Sequence, residues 1–369
     1  MRQPSIDVLR MLAIVMMVVV HFVENLSAWH GAQGDGGLSL DGFWRPTGLA
    51  APLFTFLAGV SYRLWVRGRE DRHDSDEAIT KAGIRRGLFL IGLGFAFNVL
   101  VWLPADVFNW DVLTFIGSAL LLLTACRGAP PPVLVLMAVA AVGVSPALRQ
   151  LADYPSFWTE GFYDPDLTLG DVALGFLCVG YFPVFPWIAY PLAGYAAAPG
   201  VFPRPGERGS LRPGLTGAVL VLTTTASVLA RRLGMTAPAW FRVQGWTMFP
   251  PSLEYVCGTL GMALVLLSLA HQLLDDRGPD SRLARVAGTF SRHSLTIYLL
   301  HHAVHVWPLW IWAAWTGADD VTVIWQRALP ASTAFGLAVL FLALAYPLCR
   351  WLDAPGRRGV EGWMRWICD

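Results

Sequence analysis

Long runs of apolar residues, separated by short polar connections, repeat along almost the whole chain. Crossing a hydrocarbon core of roughly 30 Å takes about 20 apolar residues in an α-helix. The pattern predicts about ten membrane-spanning helices, with a range of nine to eleven because the fifth segment is short and the sixth is overlong. The segments are Val8–Val23, Gly48–Val66, Ile84–Leu103, Val112–Ala125, Pro132–Val144, Leu167–Ala198, Leu215–Ala230, Tyr255–Leu274, Leu295–Trp315 and Ala334–Leu352. The predicted fold class is therefore an all-α, polytopic membrane helix bundle.

Composition supports this prediction and argues against a pair of soluble domains. Of the 369 residues, 55% are hydrophobic and 14% are charged, and the mean hydropathy is +0.50. Such values are typical of a protein whose main partner is the lipid bilayer. The polar connections are too short to form a separate soluble domain, so we expect a single transmembrane domain over residues 1–369. The net charge of +1 gives no reason to expect a nucleic-acid partner.

The distribution of Lys and Arg along the connections predicts the orientation of the bundle. Cytoplasmic loops carry an excess of these residues. With a cytoplasmic N-terminus, 20 of the 27 basic residues fall on the cytoplasmic side of the ten-helix arrangement. We therefore predict that both termini are cytoplasmic. The loop after the first helix, which contains His30 and Asp41, then faces away from the cytoplasm.

An acidic and a basic residue open the first predicted helix. Asp7 and Arg10 are three residues apart, so on a helix they share a face and can pair. The pair serves equally well as an orientation signal at the membrane surface and as the floor of a pocket that contacts a cofactor. The pattern leaves both interpretations open.

Titratable residues also follow the other end of this helix. His21 closes the apolar run, and His30 and Asp41 lie in the loop that follows. Neutral imidazole is a natural general base near pH 7, and a carboxylate can fix its tautomer. The three residues are therefore candidate catalytic groups, although a single histidine in such a position is more often an interfacial residue.

A second group of histidines lies in the ninth predicted helix. His301 and His305 are one turn apart, and His302 is adjacent to them. The pair resembles half of a metal site, but the motif lacks the glutamate of HExxH and no third ligand is obvious, so we expect no metal. Ionisable residues inside a membrane helix usually face a cavity or a partner, which makes His301 a pocket candidate.

Six stretches of sequence occur in a characteristic order. They are SIDVLRMLAIVMMVVVH, APLFTFLAGVS, NWDVLTFIG, YFPVFPWIAYPLAGY, FPPSLEYVCGTLG and SRHSLTIYLLHH. They resemble successive signatures of the heparan-alpha-glucosaminide N-acetyltransferase catalytic-domain family, most closely its bacterial members, and they cover nearly the whole chain. The resemblance implies a multi-pass transmembrane acyltransferase of the cell (inner or plasma) membrane, and it is compatible with a homodimer.

The resemblance also implies the reaction. An acyl group, typically acetyl, passes from acetyl-CoA on the cytoplasmic side to an amine or hydroxyl of a sugar or glycan acceptor on the other side. His30 matches the family's loop histidine, Asp41 the acid that follows it, and His301 the histidine of the late helix. The eukaryotic branch usually has Asn where this chain has His21, so the choice of base between His21 and His30 stays open. Arg10 matches the arginine of the DxxRG motif, although the glycine that follows it is replaced here.

Donor binding is expected at the cytoplasmic end, because the phosphates of CoA do not cross the hydrocarbon. The candidate donor-binding residues are Asp7, Arg10, Arg85, Arg86, Arg292 and His301. The positive-inside rule explains the arginines equally well. On the acceptor side we expect His30 to deprotonate the acceptor and Asp41 to orient it. His21 or His301 is then expected to contact the thioester.

Three alternatives stay open at this stage. Transfer can be direct or can pass through an acyl-histidine. The acceptor reaction can be O-acylation of a cell-envelope glycan instead of N-acetylation of glucosamine. The rival from another class is a non-catalytic carrier or channel for a sugar, a lipid-linked glycan or a small solute, and the lack of an internal repeat counts mildly against it.

Overall fold

The computed structural model describes residues 3–27, 48–102, 107–159, 162–163, 168–207, 209–234, 246–275, 281–317 and 329–369. Within these residues the chain forms two compact units. The first combines Met1–Phe54 with Leu274–Ile367, and the second combines Thr55–Leu273 with Cys368–Asp369. A single functional domain over residues 1–369 stays a prediction.

Helices make up almost all of the regular structure. In chain order they are α1 (Pro4–Leu26), α2 (Ala50–Glu70), α3 (Asp76–Phe97), α4 (Val112–Ala125), α5 (Pro131–Leu151), α6 (Leu169–Leu174), α7 (Val184–Trp187), α8 (Ala189–Val201), α9 (Arg212–Arg232), α10 (Leu253–Leu274), α11 (Arg282–Arg292), α12 (Ser294–Thr316), α13 (Ala331–Leu352) and α14 (Val360–Cys368). A 3₁₀ turn at Tyr154–Phe157 precedes a two-residue hairpin of antiparallel strands β1 (Trp158–Thr159) and β2 (Phe162–Tyr163). Helices α3 and α6 each continue into a π-helical turn, at Asn98–Trp102 and Gly175–Val179.

All ten predicted apolar segments overlap helices in the structure. Within the part of the chain that the structure describes, seven helical segments are long and apolar enough to cross a membrane: Pro4–Leu26, Asp76–Trp102, Pro131–Leu151, Leu169–Val201, Arg212–Arg231, Leu253–Leu274 and Ala331–Leu352. Apolar side chains such as Leu136, Val139 and Leu222 are more than 60% exposed on these helices, as expected of surfaces that contact lipid. The all-α polytopic fold is therefore confirmed, while the number of ten and the cytoplasmic termini stay predictions.

Helix α1 is the central element of the first unit. Pro4 occupies its first turn, where the missing amide hydrogen costs nothing. Its buried face includes Ile14, Val18 and Phe22, which recur at the spacing of one helical turn. The helix packs against α11, α12 and α13. These three helices together hold α1 in place within the unit.

The overlong sixth segment is broken in the middle. After the π-helical turn the helix stops, and Gly180–Phe182 form a bend before α7 begins after Pro183. Prolines at this point remove backbone donors and prevent a continuous helical ladder. The segment is therefore two helical stretches in series and not one straight helix.

Two glycines in the second unit permit a very close approach of helices α2 and α8. A Cβ atom on Gly59 would lie 2.0 Å from the carbonyl oxygen of Pro191, and one on Gly194 would lie 2.1 Å from that of Phe56. Small residues at helix interfaces allow such backbone contact within membranes. These two positions therefore require glycine.

Candidate active site

Helices α1 and α12 bring two pairs of polar side chains together in the first unit. Nδ1 of His21 lies 2.9 Å from Nε2 of His301, and Nδ2 of Asn25 lies 2.9 Å from Nε2 of His305. In each helix the two residues are four positions apart, so they lie on one face. The two faces therefore meet in register over one helical turn.

The hydrogen bonds of His301 determine its tautomer. Its Nδ1 lies 3.1 Å from the carbonyl oxygen of Ile297. Because a carbonyl only accepts hydrogen bonds, Nδ1 carries the proton, and Nε2 of the neutral ring is the acceptor. Nδ1 of His21 must then donate to His301. A neutral His21 consequently has an unprotonated Nε2, and the described residues offer no hydrogen-bond partner to that atom.

A second series of hydrogen bonds holds Asn25 and His305 in the same way. Nδ1 of His305 donates to the carbonyl oxygen of His301, so its Nε2 accepts from the side-chain amide of Asn25. His301 and His305 are almost fully buried, at 0% and 4% exposure. Their backbone contacts fix the ring orientations, and α12 thus presents a rigid acceptor to His21.

His302 completes a compact group of rings. Its ring centroid lies 4.7 Å from that of His21 and 4.0 Å from that of His301. One ring nitrogen from each of His21, His301 and His302 lies within 4.8 Å of the other two. Folding therefore brings three ring nitrogens together, including that of His21, which is distant in the sequence from the other two. The predicted absence of a metal stays a prediction.

An apolar cavity of about 410 Å³ adjoins this group. Its lining includes Phe22, Val304 and Phe341, and His305 is its polar member. A sugar needs several hydrogen-bond partners, which this lining does not supply. The cavity therefore suits hydrocarbon better than a glycan acceptor.

The other end of α1 carries the predicted donor contacts. Asp7 is 9% exposed, and Nη1 of Arg10 donates to Oγ of Ser291, 2.9 Å away, near the end of α11. The next residue, Arg292, donates to Asp353 through Nε and Nη2 at 3.1 and 2.6 Å. Arg10 and Arg292 therefore flank the same turn of the first unit.

Asp353 accepts hydrogen bonds from two neighbouring residues at this end, Arg292 and His293. Nε2 of His293 lies 3.0 Å from its Oδ1. Partial burial raises the pKa of Asp353, but the hydrogen bonds from Arg292 and His293 outweigh burial and keep the pKa below its ordinary value. Asp353 is therefore ionised at neutral pH and already paired.

Arg85 and Arg86 belong to the second unit. Arg85 is exposed, whereas Arg86 donates from Nη2 to Oδ2 of Asp369 at 2.6 Å and lies 4.4 Å above the ring of Trp65. Arg69 donates to the same carboxylate at 3.3 Å. A carboxylate held by two arginines shows that this surface can bind an anion, while a donor-binding role for Arg85 and Arg86 stays a prediction.

The loop residues His30 and Asp41 lie outside the described residues. The structure thus brings together His21 and His301 among the predicted site residues, and Arg10 with the region of Arg292. The roles assigned to all of these residues stay predictions.

A comparison with known protein families identifies the family of this chain. The family model described as "Heparan-alpha-glucosaminide N-acetyltransferase, catalytic" matches residues 2–227, more than half of the chain. The chain belongs to this family. Among curated proteins, no relative matches. The resemblance inferred from the sequence is confirmed, and the chain is a multi-pass membrane protein of an acetyltransferase family.

The match to the heparan-alpha-glucosaminide N-acetyltransferase catalytic family covers only one side of the histidine contact. His21 and Arg10 lie within the matched residues, whereas His301 and Arg292 follow them. The hydrogen bond between His21 and His301 therefore joins the matched part of the chain to the part beyond it.

Two residues of this site were missed in the sequence. Asn25 follows His21 by one turn of the same helix, and that spacing was an available signal. His302 was noted only as a neighbour of His301. Its proximity to His21 depends on how α1 and α12 pack, which no local pattern reveals.

Proposed function

We propose that this protein transfers an acetyl group from acetyl-CoA, which binds from the cytoplasm, to an amine or hydroxyl of a sugar on the opposite side of the cell membrane. Family membership supports acetyl transfer by a membrane protein. The observation that carries the proposal is the unprotonated Nε2 of His21, which follows from the hydrogen bonds of His301 to Ile297 and His21. A lone pair on a tautomer fixed by its neighbours is what a general base or a nucleophile requires.

In direct transfer, Nε2 of His21 takes the proton of the acceptor. The acceptor nitrogen or oxygen attacks the thioester carbonyl carbon, and the C–S bond then breaks. The departing thiolate of CoA recovers the proton from the imidazolium, so charge and atoms balance. The hydrogen bond from Nδ1 of His21 to Nε2 of His301 stabilises the imidazolium while it exists.

The same lone pair also suits a covalent route. In that case Nε2 of His21 attacks the thioester carbonyl carbon and the C–S bond breaks, which releases CoA as the thiolate and leaves an acetyl-imidazolium. The acceptor nitrogen or oxygen then takes the acetyl group, the bond from the acetyl carbon to His21 breaks, and the proton of the acceptor passes to the thiolate. Incubating the protein with labelled acetyl-CoA alone separates the two routes. Label that stays on the protein after denaturation, and is lost in His21→Ala, supports the acetyl-histidine.

His30 and Asp41 remain part of the proposal on the acceptor side. His30 is the competing base, and Asp41 orients the acceptor. On the donor side, Arg10 and Arg292 bind the phosphates of CoA, with Asp7, Arg85 and Arg86 as further donor contacts. His301 acts on the thioester region through its hydrogen bond to His21. The homodimer is likewise a proposal.

The decisive experiment measures donor binding and transfer in the same preparation. Acetyl-CoA is expected to raise the melting temperature of the detergent-solubilised protein, and the purified protein is expected to acetylate an amino sugar or a glycan hydroxyl. The absence of any thermal shift at millimolar acetyl-CoA would refute the acyl-CoA proposal. Solute transport in liposomes without any affinity for CoA would favour the carrier instead.

A further inference from the structure

A cavity rich in arginine lies in the first unit, where α13 ends and α14 begins. Its volume is about 290 Å³, and its lining includes Arg292, His293, Asp353, Arg357, Arg358 and Arg365. Four guanidinium groups and one carboxylate therefore surround a space of a size suited to a small polar group. Nothing in the proposed chemistry requires Arg357, Arg358 or Arg365.

The single carboxylate does not neutralise this cavity. Asp353 already accepts hydrogen bonds from Arg292 and His293. The nearby Glu361 is occupied as well, because it accepts from the backbone amides of Leu295 and Thr296 at the start of α12. Among the described residues, no carboxylate forms an ion pair with Arg357, Arg358 or Arg365. The cavity thus has an excess of positive charge.

Aromatic rings hold two of these arginines in place. The guanidinium carbon of Arg357 lies 4.1 Å above the ring of Trp351, and that of Arg358 lies 5.8 Å from the rings of both Trp363 and Trp366. Stacking uses the face of a guanidinium group and leaves its N–H edge to donate. Arg357 directs Nη1 to the carbonyl oxygen of Trp351 at 3.4 Å, and its other N–H groups remain for a ligand. The edge is the part that binds phosphate oxygens in a bidentate manner.

Helix α14 shows which kind of surface adjoins the cavity. Trp363, Trp366 and Ile367 are at least 50% exposed, whereas Glu361 and Cys368 are buried. The helix follows the membrane span α13 after seven residues. Exposed tryptophans are typical of the membrane interface, and clusters of Arg beside a span or on an amphipathic helix are typical of sites for anionic lipids.

We propose that this cavity binds a phosphate group, and that the group is carried by the headgroup of an anionic phospholipid. Arg357, Arg358 and Arg365 contact the phosphate oxygens, while Arg292 stays paired with Asp353. The exposed tryptophans and Ile367 lie beside the acyl chains. The bilayer source is favoured over a soluble phosphate because an apolar surface borders the charged cavity. The proposal does not depend on acetyl transfer.

Binding of lipid to the full chain tests the proposal. The purified protein is titrated with fluorescent phosphatidylglycerol in phosphatidylcholine nanodiscs, and Arg357→Gln/Arg358→Gln is compared with Arg282→Gln/Arg285→Gln. Arg282 and Arg285 are exposed residues of α11 in the same unit and do not line the cavity, so the control removes equal charge. The cavity variant is expected to lose affinity about tenfold or more, which corresponds to about 1.4 kcal/mol, and the control is expected to bind like the unmodified protein.

Further arms separate folding and the source of the phosphate. Arg357→Lys/Arg358→Lys retains the charge and is expected to bind phosphatidylglycerol better than the Gln pair, but less well than the unmodified protein, because Lys cannot form the bidentate contact. Equal affinity of the Gln pair and the control would overturn the site. Displacement of the lipid by CoA or by inorganic phosphate at equal concentration would overturn the phospholipid as its ligand.

Discussion

The two ends of α1 in the first unit differ in how they lower the free-energy cost of burying polar groups. Near His21 the polar groups include imidazoles and an amide, which can remain neutral, and hydrogen bonds link His21 to His301 and Asn25 to His305. Near Arg10 and Arg292 the groups are permanently charged, partly exposed and matched with hydroxyl or carboxylate partners. Charge inside the hydrocarbon is costly, whereas neutral groups joined by hydrogen bonds cost less.

This difference suits the two halves of the proposed reaction. The donor carries phosphates, which need fixed cations, whereas proton transfer from the acceptor needs a group that changes its charge easily. Arg10 and His21 are eleven residues apart, or about 16 Å along the helix at 1.5 Å per residue. The reactive arm of acetyl-CoA has to bridge that distance under the proposal.

The largest expected effect comes from removing the proposed base. His21→Ala is expected to lower kcat about 100- to 10,000-fold, the usual contribution of general acid–base catalysis. Binding of acetyl-CoA, measured by the thermal shift, is expected to remain. The matched variant is His30→Ala. If His30→Ala abolishes transfer while His21→Ala turns over normally, the base is His30 and the importance assigned to the histidine end is wrong.

A smaller effect is expected at the residue that positions His21. His301→Leu removes the acceptor of the His21 Nδ1 proton and is expected to lower kcat about 10- to 100-fold, as loss of a partner that orients a reactive histidine does elsewhere. The KM for acetyl-CoA is expected to stay the same. His301→Gln supplies a new acceptor and should recover part of the rate. Equal rates for the Leu and Gln variants would show that the contact is only structural.

The sequence predicted the helices well and their partners poorly. The ten segments that hydropathy predicted all overlap helices, because the apolar length of a membrane helix is a property of its own sequence. The contact between His21 and His301 joins residues 280 positions apart, and that between Arg86 and Asp369 joins residues 283 apart. Such pairs depend on which helix faces which, and periodicity within one helix contains no information on that choice.

Candidate chemistry followed the same division. His21 and His301 were each predicted as site residues from their unusual presence in apolar helices. Their hydrogen bond and the tautomer that it imposes required the backbone carbonyl of Ile297. That acceptor is common to every residue of a helix and cannot be recognised from the sequence.

At the arginine end, charge predicts a modest dependence of stability on pH. The folded pKa of Asp353 lies below its ordinary value, so this carboxylate stabilises the fold above the unfolded pKa of about 3.9, and the contribution is lost as pH falls through the folded pKa. Asp353→Asn is expected to cost about 0.5 kcal/mol at neutral pH, because the pair is partly exposed.

Melting temperatures measured from pH 7 to pH 3 check this expectation. The difference between the unmodified protein and Asp353→Asn should shrink toward the acid end, as the pH falls toward the folded pKa of Asp353 and its carboxylate becomes protonated. A difference that stays constant over the whole range would mean that Asp353 acts through packing and not through its charge.

The smallest effect is expected from removing divalent ions. One ring nitrogen from each of His21, His301 and His302 is close enough to the others to bind one, but the lone pair on Nε2 of His301 already accepts the hydrogen bond from His21. Dialysis against a chelator is therefore expected to leave the acetyl-transfer rate unchanged. The histidine end would be a metal centre if the chelator caused a strong loss of activity, if Zn²⁺ restored that activity, and if Zn²⁺ failed to restore it in His302→Ala. The two ends of α1 would then differ in the kind of cation that they hold, with a bound metal at the histidine end and guanidinium groups at the arginine end.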